Sequence, residues 1–212
     1  MKRPRVLLAD DHKIVVEGLR SLLEPEFDLV GTAEDGRALV AAAKRLQPDV
    51  IVADISMPLL NGIEAAEQLK RAALGAKIIF LTMHPDVTYA MRALEAGASG
   101  YLLKHSAPSE LVAAIREVVK GRTYVTPMIA TDLLKSLMGR SGHRDKVGRL
   151  TPRQREVLQL VAEGHSAKEI ASILRISPRT VEFHKYRMMS DLGLRTNAEL
   201  VQFAIKHGVA SV

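Results

Sequence analysis

The sequence predicts an α/β domain built on a five-stranded, doubly wound parallel sheet, followed by a second, smaller all-α domain of four helices. Three observations predict it. Short apolar runs without polar alternation recur through the first half of the chain, and amphipathic stretches separate them; after Leu150 strand signals stop and helix starts follow one another closely. Apolar runs of this kind mark strands buried on both faces, and so a sheet covered by helices on each side.

The first strand is Val6-Leu7-Leu8-Ala9, followed by a helix over Ile14 to Leu23. Leu29-Val30-Gly31 then precedes a helix over Ala38 to Leu46, and Val50-Ile51-Val52-Ala53 precedes one over Ile63 to Leu69. Lys77-Ile78-Ile79-Phe80-Leu81 leads to a helix over Val87 to Ala96, and Gly100-Tyr101-Leu102-Leu103 to one over Glu110 to Val119. The periodicity weakens after Gly121. Ile129, Leu133, Leu134 and Leu137 stand at helical spacing within Pro127 to Met138, which predicts a short helix bridging the domains. Ser141-Gly142-His143-Arg144-Asp145 is polar and reads as linker. The expected divisions are 1–121, a linker over 122–147, and 148–212.

Four helix starts define the second domain. Thr151-Pro152-Arg153-Gln154 offers an N-cap, a proline at the first helical position and a capping-box glutamine, and Ser166-Ala167-Lys168-Glu169 is a full box. Ser177-Pro178 repeats the cap and proline, and Thr196-Asn197-Ala198-Glu199 is another box. Gly164 falls where the first of these helices ends and a left-handed cap is needed.

The chain has 212 residues, 47% hydrophobic and 25% charged, a globular balance that excludes general disorder. It has no cysteine, which excludes disulfides and thiolate metal sites. No apolar run approaches the roughly 18 residues that span a bilayer, and Met1-Lys2-Arg3-Pro4-Arg5 leads into a strand-like run, so a soluble, cytoplasmic chain without a membrane partner is expected. Residues 1–125 hold 16 Lys and Arg against 16 Asp and Glu, whereas residues 146–212 hold 11 against 6 and carry +5 of the net +6. A basic module joined to a neutral one suggests that the module binds a polyanion.

In a doubly wound sheet the functional crevice lies beyond the carboxyl ends of the strands. Asp10 and Asp11 end the first strand, Asp54 the third, Thr82 the fourth and Lys104 the fifth. Clustered carboxylates repel unless a cation joins them, and an all-oxygen set suits Mg²⁺. The same crevice suits a phosphoryl group, with Asp54 as the nucleophile and Mg²⁺ and Lys104 neutralising its oxygens. Taken singly, Asp10-Asp11 could be a helix cap and Lys104 a surface charge; their convergence favours the site.

Asp54-Ile55-Ser56-Met57-Pro58-Leu59-Leu60-Asn61-Gly62 resembles the phosphorylation loop of response-regulator receivers, which have a flavodoxin-like fold. Thr82 and Ala98-Ser99-Gly100-Tyr101-Leu102-Leu103-Lys104 resemble the receiver's switch hydroxyl, switch aromatic and lysine, so the likeness covers roughly residues 4 to 121. His105 stands where many receivers have proline. The resemblance implies that Asp54 accepts phosphate from a sensor histidine kinase. It implies that Asp11, Asp54 and the Ser56 carbonyl bind Mg²⁺ with help from Asp10, and that Tyr101 turns inward as Thr82 and Lys104 are drawn to the phosphoryl group. The altered surface would be the fourth helix, fifth strand and fifth helix.

In the second domain the helix from Ser177 is the candidate recognition helix, with Val181, Met188 and Leu192 as its buried seam and His184 nearby. Glu182, Phe183, Tyr186 and Met189 then face outward, flanked by Arg179, Lys185, Arg187 and Arg195. Leu150 to Leu158, Gly164 to Ala171 and Ile176 to His184 resemble the LuxR-type helix-turn-helix; joined to a receiver, this looks like the NarL/FixJ class of transcriptional regulators. Ala167, Glu182 and Asp191 depart from the residues frequent there. The resemblance implies that Lys168, Arg179, Lys185 and Arg195 contact phosphates, that Glu182, Phe183 and Tyr186 face the bases of double-stranded DNA, and that the phosphorylated chain forms a homodimer. RNA polymerase is a candidate partner. Glu182 suits a cytosine amino group and Phe183 a thymine methyl.

Enzyme readings fit less well. An aspartyl-phosphate hydrolase wants a second acid two residues beyond Asp54, where Ser56 stands, and a nucleotide binder wants a small-residue loop where Asp11-His12-Lys13-Ile14 stands. The alternative is a phosphorylation-dependent adaptor whose helical module binds protein.

Overall fold

The computed structural model of the chain describes residues 3–138 and 147–210. β1 (Arg5–Ala9), β2 (Asp28–Ala33), β3 (Val50–Ala53), β4 (Lys77–Thr82) and β5 (Gly100–Leu103) are the five expected strands, and α1 (Lys13–Leu23), α2 (Gly36–Leu46), α3 (Gly62–Arg71), α4 (Val87–Glu95) and α5 (Ala107–Val119) the helices between and after them. A sixth, two-residue strand, β6 (Tyr124–Val125), adds to the edge, and the all-parallel order is β2-β1-β3-β4-β5-β6. Two residues between Thr123 and Thr126 are too few to show a period, which is why this strand was not expected.

Each strand feeds two cores, one on each face of the sheet. Leu7, Ala9, Ile51, Ala53, Ile78, Phe80, Tyr101 and Leu103 point to α2, α3 and α4. Val6, Leu8, Val50, Val52, Ile79, Leu81 and Leu102 point to α1 and α5. This period-two division is the physical content of the uninterrupted apolar runs: both faces are buried.

α6 (Pro127–Met138) is the bridging helix. Ile129 and Leu133 are buried with the receiver-like core, but Leu134 is exposed, so the expected seam is narrower; the side chain of Leu137 lies outside those described. The polar stretch Ser141 to Asp145 also lies outside the described residues.

The second domain consists of α7 (Pro152–Ala162), α8 (Ala167–Leu174), α9 (Pro178–Leu192) and α10 (Asn197–Lys206). Thr151, Ser166 and Thr196 each form the expected capping box, and Ser177 caps α9 through the Thr180 N–H. Gly164 has φ +87°, the left-handed conformation its position requires. Val157, Leu158, Ile170, Val181, Met188 and Leu200 close a separate core. No helix among the described residues is long and apolar enough to cross a membrane.

Candidate functional site

The chain leaves β1 toward β2 on one side and reaches β3 on the other, so the crevice opens between the carboxyl ends of β1 and β3. Ala9 and Ala53 are register partners, and the Asp54 N–H donates to the Ala9 carbonyl at 2.8 Å. Asp10 and Asp54 therefore emerge side by side, only 3% and 4% exposed. From β5, Lys104 reaches across and its ammonium donates to Asp54 Oδ2 and pairs with Asp10 Oδ2, both at 2.7 Å.

The second oxygen of Asp54 accepts the Ile55 N–H at 2.6 Å. Burial raises the Asp54 carboxyl above its ordinary range, against the pull of Lys104. Burial works against the charge of Lys104 in turn, but its hydrogen bonds to Asp10 and Asp54 outweigh that and raise it. One partly buried cation thus balances two buried carboxylates, and a further positive charge fits beside Asp11, which is exposed.

Asp10, Asp11, His12 and Asp54 present ligand atoms within 4.8 Å of one another. His12 was not singled out in the sequence, although it directly follows the acidic pair; its Nδ1 lies 3.2 Å from Asp10 and 3.0 Å from Asp11. The Ser56 hydroxyl shares a 2.7 Å hydrogen bond with His84 Nε2. His84 is a second residue the sequence reading missed, because a lone histidine past a strand end carries no pattern. Its backbone N–H donates to the Thr82 hydroxyl at 3.2 Å, and Thr82 is fully buried.

Tyr101 is 0% exposed and its hydroxyl donates to the His84 carbonyl at 2.7 Å, so its ring lies inward, with Thr82 still in place beside it. Burial pushes its phenol well above the ordinary value. The ring sits over β4 because Phe80 is its register partner and α4 roofs that face.

On the second domain, α9 buries Val181 and Met188 as expected, with Leu192 partly buried. Phe183 and Tyr186 are 57% and 66% exposed, and Lys168, Arg179 and Arg195 are exposed around them. Two expectations are corrected. Met189 packs partly against the core instead of facing outward, and Lys185 is largely covered, its ammonium 2.7 Å from Glu182. Three residues apart on one helix, those two opposite charges pair with each other.

Comparisons with known proteins agree with this geometry. Residues 6–116 match the response regulator receiver domain, and residues 148–204 match the bacterial regulatory proteins of the luxR family. The chain is 35% identical over 208 residues to response regulator UvrY of Escherichia coli K12, covering 97% of this chain and 95% of that one. It is 35% identical over 210 residues to the oxygen regulatory protein NreC of Staphylococcus carnosus, covering 95% and 97%. Among solved structures, the RcsB response regulator of Salmonella enterica serovar Typhimurium, bound to promoter P1flhDC in the presence of the phosphomimetic BeF3−, is similar at a TM-score of 0.65 and 33% identity, covering 95% of this chain and 98% of that one. A receiver with an acidic crevice, joined to a LuxR-type helical domain with an exposed aromatic and basic face, places the chain in the NarL/FixJ family of two-component response regulators, which are DNA-binding regulators of transcription.

Proposed function

We propose that Asp54 accepts a phosphoryl group from the phosphohistidine of a sensor kinase, and that residues 148–212 bind double-stranded DNA under the control of that event. Residues 1–121 form the phosphoacceptor domain and 122–147 join the two. The observation that carries the reading is the buried Asp54 carboxylate held at 2.7 Å by Lys104 beside the acidic pair. An Asp54 oxygen bonds to phosphorus as the P–N bond of the phosphohistidine breaks, and the electron pair stays with the imidazole nitrogen, which takes up a proton. Lys104 then moves from carboxylate to phosphoryl oxygen, and the Thr82 hydroxyl donates to another.

The residues fit Mg²⁺: Asp10, Asp11 and Asp54 are hard oxygen donors close enough to share one ion, and in our reading the Ser56 carbonyl would join them. The ion, when bound, supplies positive charge against the phosphoryl oxygens. A kinase helix has a place to dock: an apolar notch of about 390 Å³ lined by Val15, Leu19, Leu22, Ala107 and Pro108 reaches Lys104. Ile14, next to it in sequence, is 89% exposed.

The similar RcsB structure is bound to promoter DNA, and in our reading α9 is the reading helix here, with the exposed Phe183 and Tyr186 toward the bases and Lys168, Arg179 and Arg195 toward phosphates. Glu182 and Lys185 act as a pair, so Lys185 reaches a phosphate only when Glu182 turns to a base. The phosphorylated chain pairs to read two half-sites, in the cytoplasm, where RNA polymerase is the partner for a transcriptional output. The test of the phosphoryl reading is incubation with acetyl phosphate and Mg²⁺, which is expected to add one acid-labile, hydroxylamine-sensitive phosphoryl group at Asp54. For the DNA half, Arg179→Ala is expected to weaken binding to every duplex alike and to reduce the slope of log K against log salt by about 0.9 for each bound protomer. A loss confined to one sequence would make Arg179 a base reader instead.

A further inference from the structure

One carboxylate stands on the face of α9 that meets a polyanion. Glu182 lies between Val181 of the buried seam and Phe183 of the outer face, and its side chain is 38% exposed. Facing DNA alone, that charge would be repelled by phosphates and by the acceptor edges of guanine and thymine. It does not stand alone. Lys185, one turn further along α9, donates to Glu182 Oε1 at 3.0 Å and lies 2.7 Å from Oε2.

Lys185 is unlike the other cations near the reading face. It falls four residues after Val181 and three before Met188, so it leaves the helix on the side that carries the buried seam. Its side chain is only 16% exposed, and most of its length is therefore covered. The Tyr186 ring centroid lies 5.6 Å from the ammonium. Lys168, Arg179 and Arg195, by contrast, are exposed and form no ion pair among the described residues. Those three are available to any duplex, whereas the charge of Lys185 is already matched. An ion pair at this spacing adds little to helix stability, so its larger effect is on what α9 offers to DNA.

We propose that Glu182 is an internal counter-ion that withholds Lys185 from DNA phosphates unless the duplex places a cytosine amino group beneath it. This deepens, and rests on, the reading of α9 as the helix that enters the major groove. Two exchanges of partner are coupled. Cytosine N4 and adenine N6 are the amino donors of the major groove; adenine sets the acceptor N7 beside its amino group, whereas cytosine carries no acceptor there, so a carboxylate suits cytosine. Over cytosine, Glu182 accepts from the amino group and the Lys185 ammonium turns to a phosphate, so that two charge-assisted hydrogen bonds replace one ion pair. Over guanine or thymine, Glu182 meets acceptors and keeps Lys185, and the complex is one cation short. Base choice and phosphate affinity are thereby joined. Discrimination then comes as much from the contact refused to other duplexes as from the contact made to the right one.

The test is duplex binding by the full chain, treated with acetyl phosphate and Mg²⁺, to a site selected from a randomised pool and to a mixed-sequence duplex. The wild-type chain should select a cytosine at one fixed place in each half-site. Changing that C·G pair to T·A should weaken binding at least about 10-fold and flatten the slope of log K against log salt by about 0.9 for each bound protomer. Glu182→Gln is expected to lose the cytosine preference and to bind the mixed-sequence duplex at least about 5-fold more tightly, with a slope steeper by about 0.9 for each bound protomer. In a Lys185→Met background the same substitution should leave the slope unchanged. Helical circular dichroism is compared first, because Glu182→Gln leaves Lys185 covered without its counter-ion. If it falls, Glu182→Gln with Lys185→Arg, whose guanidinium reaches further toward solvent, is read the same way. An unchanged slope for Glu182→Gln, or an equal steepening in the Lys185→Met background, overturns the proposal. Selection of duplexes without a fixed cytosine overturns it too and leaves α9 as the reading helix; failure of the wild-type chain to retain any duplex overturns both.

Discussion

Asp54→Asn is expected to abolish the acid-labile phosphoryl adduct while leaving the fold intact. Asparagine keeps the shape and can still accept the Ile55 N–H, but its amide cannot form the acyl phosphate. Lys104 keeps Asp10 at 2.7 Å, so the buried ammonium is not stranded. Burial raises the Asp54 carboxyl, which means that holding its charge inside is unfavourable, so removal of that charge costs little stability and can add to it. Two measurements check this: intact mass after acetyl phosphate with Mg²⁺, and the affinity for target DNA with and without the donor. The variant should show no mass gain and one affinity under both conditions. Donor-dependent DNA binding that survived the substitution would move the phosphoacceptor elsewhere.

Gly62→Ala should have the largest effect on stability at the site. Gly62 opens α3 directly behind the Asn61 cap, and a Cβ there would overlap the Asp54 carbonyl oxygen and crowd the Phe80 ring. The backbone has no room to retreat, because the Gly62 N–H donates to the Ile55 carbonyl at 2.8 Å and Asn61 is held by Gln159. Crowding of this kind costs about 1–3 kcal/mol. It is also expected to shift Asp54 out of line with Lys104 and so to slow phosphoryl uptake. Gly18→Ala is the matched control: nothing lies within 4 Å of its Cβ position inside α1, and it should stabilise by about 0.5–1 kcal/mol. Urea midpoints at constant m-value compare the two. Equal midpoints for both variants would mean that the close approach at Gly62 is absent in solution.

Much of the crevice could be read from the chain because its residues are the first ones beyond β-strands, and strand ends are marked by where apolar runs stop. Asp10, Asp54, Thr82 and Lys104 all follow or close such runs, and the sheet order brings them together. Tyr101 could not be placed in the same way. Whether a strand aromatic points inward depends on the space left by Phe80, α4 and His84, which no spacing encodes. The pairing of Lys185 with Glu182 follows from their i,i+3 spacing on α9, whereas how far each stays exposed is set by packing.

The sequence by itself determined the order of strands and helices, the four capped helix starts and the acidic rim, because periodicity, caps and strand ends are local properties set by near neighbours. Only the tertiary structure decided that β6 extends the sheet, that α6 covers α4, and that Gln159 and Glu163 grip the loop after Asp54. Arg155, Glu156 and Gln159 are polar helix residues, yet all three are buried. Each has partners in another segment, with Glu64 and Glu67 about ninety residues from Arg155. Complementarity between two surfaces is a property of the pair, and neither segment carries it alone.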